Sequence, residues 1–255
     1  MTLAEFGFDW SLLGAPLLAG LLVVSTHVLL GRRVLERGII FIDLTIAQVA
    51  ALGVIIAHDA GLAGDGWNVQ AVAGAAALLA AALLAWTERR LRHVQEAIIG
   101  SLYVIAASTA ILIVAHNPHG SEHMQELLAG QILWVGFGQV WPITVLYALV
   151  LTAWFAWARR RPAAFYFLFA LTVMASVQLV GVFLVFATLI LPALASHGLP
   201  EKRGLAVGYG VGAVGYALGL WLSVPLDMPA GPLIVCVLAA LAILAALLRY
   251  AWARR

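Results

Sequence analysis

The stretch Phe41-Ile-Asp-Leu-Thr-Ile-Ala-Gln-Val-Ala-Ala-Leu-Gly53 decides how the chain is read. It lies in an apolar run from Gly38 to Ala57, long enough to cross a bilayer as one helix. Within that run stand Asp43, Thr45 and Gln48. A carboxylate at membrane depth costs several kcal/mol unless something pairs with it, so Asp43 is a functional candidate. By the three-and-four spacing of a helix, Asp43 shares a face with Ala47, Ala50 and Val54, and Thr45 shares an adjacent one with Gln48 and Leu52. Small residues beside polar ones suit close helix packing around a polar path. The competing expectation is structural: Asp43 pairs with Arg32, Arg33 or His27 and only locks the helix.

Working outward, the rest of the chain is equally apolar. Of 255 residues, 64% are hydrophobic and 10% charged, far from the balance of a soluble domain. The expectation is a single transmembrane domain over residues 1–255, since no polar stretch is long enough to fold alone. All 14 Lys and Arg fall in five places: Arg32 to Arg37, Arg89 to Arg92, Arg159 to Arg161, Lys202 to Arg203, and Arg249 to Arg255. By the positive-inside rule these face the cytoplasm. The remaining connections carry acids and histidines and should face outward, giving an outer surface suited to cations.

The spans read as Ser11 to Gly31, Gly38 to Ala57, Asn68 to Thr87, Gln95 to Ala115, Gly138 to Trp157, Gly204 to Ser223 and Gly231 to Leu248. Arg32 to Arg37 reads as a short turn. The run from Ala163 to Ser196 is long for one crossing and short for two. With basic residues on both flanks, it reads as two shortened or broken helices around Gly181, an irregularity found along transport pathways. The fold class is therefore an all-α polytopic membrane protein of about nine transmembrane helices, N-terminus periplasmic and C-terminus cytoplasmic.

Few other residues carry chemistry. His27 is expected to bond within the bundle. The outer loop offers His116, His119, Glu122 and His123, ligand types that zinc or manganese accept, as a transient metal contact. Glu96 opens a helix, where the dipole favours an acid. The lone Cys236 excludes a disulfide framework. A cleaved signal peptide is not expected, because no basic region precedes the first apolar run. No Gly-x-x-x-x-Gly-Lys-Ser/Thr motif occurs, so any ATP would be hydrolysed by another chain. No paired Asp, Ser-Lys or His-Glu constellation at membrane depth suggests an enzyme.

Several stretches are similar to a known family. Gly31-Arg-Arg with Ala47-Gln-Val-Ala-Ala-Leu-Gly53 resembles that family's second helix, and Glu96-Ala-Ile-Ile-Gly100 the entry to its fourth. Leu127-Leu-Ala-Gly-Gln-Ile-Leu133, Val180-Gly-Val-Phe-Leu-Val-Phe-Ala-Thr-Leu-Ile-Leu-Pro-Ala193 and Asp227-Met-Pro-Ala-Gly-Pro232 follow in the right order. The chain resembles the membrane permease subunits of zinc/manganese/iron ABC importers. The resemblance implies a dimer of permease subunits in the bacterial inner membrane, surrounded by lipid. It also implies a cytoplasmic ABC ATPase subunit and a periplasmic or lipid-anchored metal-binding protein. No nucleic acid is implied, and no permanently bound cofactor; a divalent metal is the transported substrate.

Two departures from the family pattern stand out. In the family's second helix an Asp and a His one turn apart can grip a metal; here those positions hold Leu44 and Gln48. The family's docking helix between the fifth and sixth spans has no room between Arg159 and Pro162. Coupling to an ATPase would then fall to Glu88, Arg89, Arg90 and Glu96, or to the loop containing His197. The alternative is a permease-like subunit not coupled to ATP, acting as a channel, carrier or accessory scaffold. An importer of an organic metal chelate fits the motif order poorly.

Overall fold

The computed structural model describes residues 10–62, 66–114, 132–157 and 161–253. Among these it has nine α-helices: α1 Trp10–Arg37, α2 Ile42–Asp59, α3 Trp67–Arg90, α4 Gln95–Val114, α5 Phe137–Ala156, α6 Pro162–Val180, α7 Val182–Ala195, α8 Glu201–Leu226 and α9 Ala230–Ala253. Eight of them are long and apolar enough to cross a membrane, and α7, with 14 residues, is shorter. At helical rise α7 is about 21 Å long, less than the hydrocarbon core.

Two sequence expectations need correction. Arg32 to Arg37 is not a turn: α1 runs through it, because Arg, Leu and Glu are good helix formers. The chain turns instead at Gly38, whose φ of 69° ends the helix. Nor are both helices of the 163–196 run short. Gly181 breaks the run with φ 82° and ψ 162°, a backbone state that residues with a Cβ rarely adopt. The break falls late, leaving α6 with 19 residues and only α7 short.

The chain forms two compact units, each assembled from separate segments. The first comprises Met1–Arg37, Ala129–Thr144 and Leu179–Arg255, hence α1, the start of α5 and α7 to α9. Lipid tails are as apolar as leucine, so helices in a bilayer hold together by close contact and hydrogen bonding. Here α8 supplies the close contact. Its buried glycines Gly204, Gly208 and Gly212 lie against Arg32, Val28 and Val24 of α1. Gly215 and Gly219 lie against Leu238 and Ile234 of α9. Gly31 of α1 meets the Leu189 carbonyl of α7. Two hydroxyl hydrogen bonds add to this: Thr188 with Tyr216 at 2.8 Å, and Tyr209 donating to the Ser25 carbonyl at 2.9 Å.

The second unit comprises Gly38–Leu128 and Val145–Gln178, hence α2 to α4, most of α5 and nearly all of α6. Helix α2 is among its most enclosed elements. Gly53 lets it approach Ala73 and Ala76 of α3. On the α4 side the Thr45 hydroxyl donates to the Ile99 carbonyl at 3.0 Å. Gln95 ties the start of α4 to the Leu84 carbonyl of α3 at 3.1 Å. Tyr147 of α5 hydrogen-bonds Ser176 of α6, both buried. Trp154 of α5 and Phe165 of α6 also meet edge to face.

Much of the surface is apolar. Val104, Ile105, Ile111 and Leu112 on α4 are exposed, as are Ile243, Leu244, Leu247 and Leu248 on α9. Such surface needs lipid or another apolar cover. Tryptophans mark the helix ends: Trp10 and Trp67 begin α1 and α3, Trp86 lies near the other end of α3, and Trp157 follows α5. Aromatic residues placed this way match the two interfaces of a bilayer. The polytopic all-α class expected from the sequence is what the structure has.

Candidate functional site

Helix α2 begins just after the turn at Gly38, which places Asp43 in its first turn. A carboxylate there gains from the helix dipole. Its surroundings give it nothing further. Asp43 is 1% exposed, and neither carboxylate oxygen has a hydrogen-bond partner among the described residues. The three partners that would make it a simple lock are engaged elsewhere. Arg32 donates to the Ser196 carbonyl and hydroxyl and to the Leu199 carbonyl. Arg33 pairs with Glu36 at 2.9 Å. His27 bonds through Nδ1 to the Val23 carbonyl at 2.9 Å and lies 3.1 Å from the Thr26 hydroxyl. A buried, unpartnered carboxylate either holds a proton or awaits a cation, because the bare anion there is too costly to keep.

Thr45 and Gln48 are also buried. The Thr45 hydroxyl proton is shared between the Phe41 and Ile99 carbonyls, both at 3.0 Å, so this residue joins α2 to α4. At the helical 100° per residue, Thr45 projects about 160° and Gln48 about 140° away from Asp43. The three therefore do not converge on one point from α2 alone. Among the described residues no group of three or more His, Cys, Asp or Glu is gathered where it could hold a metal. His116, His119, Glu122 and His123 lie outside the described residues.

The coupling candidates fall on two turns. In the second unit, Arg89 and Arg90 are exposed at the end of α3, Glu88 is half-buried, and a 3-10 turn, Arg92–Val94, leads into α4. Glu96 faces the backbone N–H groups of Ile40 and Phe41, so it caps the approach to α2 as well as opening α4. In the first unit, His197 is exposed in the loop between α7 and α8, and its carbonyl accepts from Arg249 at 2.7 Å. Sequence reasoning missed the bonds of Arg32 and Arg249. The available signal was Arg32 itself, a cation directly after the long apolar run Ser11 to Gly31.

These features define a class: a helical, multi-pass membrane protein in which Asp43 is the one fully buried carboxylate among the described residues. The chain belongs to the ABC 3 transport family, whose sequence profile matches residues 10–162 and 159–249. The two matched segments meet at the short connection between α5 and α6. Among solved structures the chain is similar to PsaBC from Streptococcus pneumoniae, determined in complex with Fab. The TM-score is 0.73 at 20% identity, over 96% of this chain and 95% of that one. It is also similar to a transporter assigned to the metal-chelate ABC type, in an inward-facing conformation. There the TM-score is 0.67 at 16% identity, over 91% of this chain and 84% of that one. At such identities the likeness is one of fold. Among curated proteins none matches in sequence. The resemblance to ABC permeases drawn from the motifs is borne out by the family match.

Proposed function

We propose that the chain is the membrane subunit of an ATP-driven importer that carries a divalent metal ion into the cytoplasm. One observation carries the reading: Asp43 is buried in a membrane helix with both oxygens unpartnered among the described residues. A passing cation supplies the missing partner. Family membership supports the transport role, and the first solved relative is a PsaBC assembly. A carboxylate without imidazole beside it favours harder cations, so manganese or ferrous iron is the better fit and zinc the weaker. The energy comes from a cytoplasmic ABC ATPase, and a periplasmic or lipid-anchored binding protein delivers the ion. The five basic places face the cytoplasm of a bacterial inner membrane, with the N-terminus outside. Two permease subunits, with lipid around them, complete the pathway.

The test is uptake of radioactive manganese and iron by cells lacking other importers, comparing the wild-type chain with Asp43→Asn and Gln48→Ala. Reduced uptake with normal membrane levels is the expected result, and unchanged uptake in both variants removes α2 from the pathway. A second reading, a permease that works without ATP, is favoured by a specific feature. Only residues 157–161 join α5 to α6, too few for a helix that docks on an ATPase. Purification of the tagged chain separates the readings, since a stoichiometric ABC ATPase belongs only to the first.

A further inference from the structure

Helix α2 starts without a cap of its own. Its N-cap position is Phe41, and no side-chain bond closes that end from within the helix. The acceptor comes from another helix. The Glu96 carboxylate, in the first turn of α4, takes the N–H groups of Ile40 and Phe41. A second tie lies just beyond, where the Thr45 hydroxyl donates to the Ile99 carbonyl of α4 at 3.0 Å. Between the two ties sits Asp43, two residues after Phe41 and two before Thr45. It is 1% exposed, and neither of its oxygens is hydrogen-bonded among the described residues.

Capping satisfies N–H groups that would otherwise be orphaned, and any acceptor of the right reach would serve for that. The placement does more. Asp43 makes no hydrogen bond that fixes it among the described residues, so its height and bearing follow from the backbone of the first turn of α2. Helix α4 holds that turn on both sides of Asp43. The start of α4 is itself fixed, because Gln95 donates to the Leu84 carbonyl of α3 at 3.1 Å. Gly38, with φ 69°, stands just before the lower tie, and a glycine restrains the segment least. With Glu96 removed, little on that side would keep the first turn in place.

Resting on the importer function proposed above, we propose that Glu96 is a positioning residue for cation passage. By holding Ile40 and Phe41 it sets where the Asp43 carboxylate meets the ion, without touching the ion itself. A shift of about 1 Å in a group that must meet its partner can cost on the order of a hundredfold in rate. The effect of Glu96 therefore runs through Asp43, and vanishes where residue 43 has no carboxylate to place.

The experiment follows uptake of radioactive manganese and iron in cells lacking other importers. The full chain is compared as wild type, Glu96→Ala, Asp43→Asn and the double variant, each rate divided by the amount of folded chain in the membrane. Glu96→Ala is expected to lower the rate about tenfold or more. In the Asp43→Asn background the same change should alter the remaining rate by less than about twofold, because residues acting through one another do not add. Glu96→Gln keeps the reach and an acceptor oxygen, and should retain about half the wild-type rate or more. If Glu96→Ala does not reach the membrane, Glu96→Asp takes its place in the cycle, since one methylene fewer draws the oxygens back from Ile40 and Phe41. Three results overturn the proposal while leaving the importer reading intact: equal fractional losses in both backgrounds, a wild-type rate without Glu96, or a Glu96→Gln rate as low as that of Glu96→Ala. Wild-type uptake by Asp43→Asn, or no uptake by the wild-type chain, defeats the importer reading itself, and this proposal with it.

Discussion

Arg32 on α1 grips Ser196 at the end of α7 through both its carbonyl and its hydroxyl, across 164 residues of chain. Among the described residues the guanidinium has no carboxylate partner; it caps a helix belonging to another part of the sequence. A bond from a charged donor contributes about 1.5–3 kcal/mol, and carbonyls left without a donor add to the loss. Arg32→Ala is expected to lower the stability of the purified chain by about 2 kcal/mol or more, a fall in Tm of roughly 4–8 °C. Arg32→Lys should fall between, because an ammonium cannot fork to Ser196 and Leu199 together. Thermal unfolding in detergent, followed by size-exclusion chromatography, reads both.

Gly31 faces the carbonyl of Leu189 so closely that a Cβ would collide with backbone. Backbone cannot rotate away as a side chain can. Gly31→Ala should therefore cost about 1–3 kcal/mol, as overpacking does in other interiors. Gly100, on α4, has nothing within 4 Å of where a Cβ would lie. Gly100→Ala should be neutral or stabilising, by up to about 1 kcal/mol from helix propensity. The same thermal assay on the pair separates close packing from a general intolerance of substitution.

Gly181 holds φ at 82° between α6 and α7. Alanine in that conformation is strained by about 1–2 kcal/mol. Gly181→Ala should thus favour a continuous helix through 163–195 and reduce transport more than its stability loss accounts for. Uptake normalised to the amount of folded protein in the membrane checks this. Uptake that simply tracks folded protein would show that the break has no part in transport.

Much of this architecture is legible in the residues, and the parts that are not share a cause. Apolar length locates the spans, and Gly181 with basic flanks marks the broken run. Helix ends were harder. Only Val34 and Leu35 are apolar between Arg32 and Arg37, yet the helix propensity of the stretch carries α1 onward until Gly38. The burial of Asp43 follows from its place in an apolar run. That Arg32, Arg33 and His27 leave it alone does not, because their partners are set by tertiary contacts far away in sequence. The same holds for Thr45, whose hydroxyl reads as a cation ligand until Ile99 is seen beside it.

Thr45→Val removes a hydroxyl that bridges α2 and α4 and leaves the Ile99 carbonyl without that donor. The expected cost is about 1 kcal/mol, seen as a modest drop in Tm. Transport should fall little if the hydroxyl only fastens the helices. A loss of uptake as large as that of Asp43→Asn, with stability preserved, would instead make Thr45 a ligand on the path.

The central claim is that the buried carboxylate of Asp43 meets the travelling cation, and one measurement addresses it most directly. Radioactive manganese uptake is followed in cells carrying wild type, Asp43→Asn or Asp43→Glu, with each chain quantified in the membrane. The account predicts that Asp43→Asn, nearly identical in shape, loses about tenfold or more of the uptake rate, and that Asp43→Glu regains part of it. Wild-type uptake by Asp43→Asn at equal membrane levels would contradict the account.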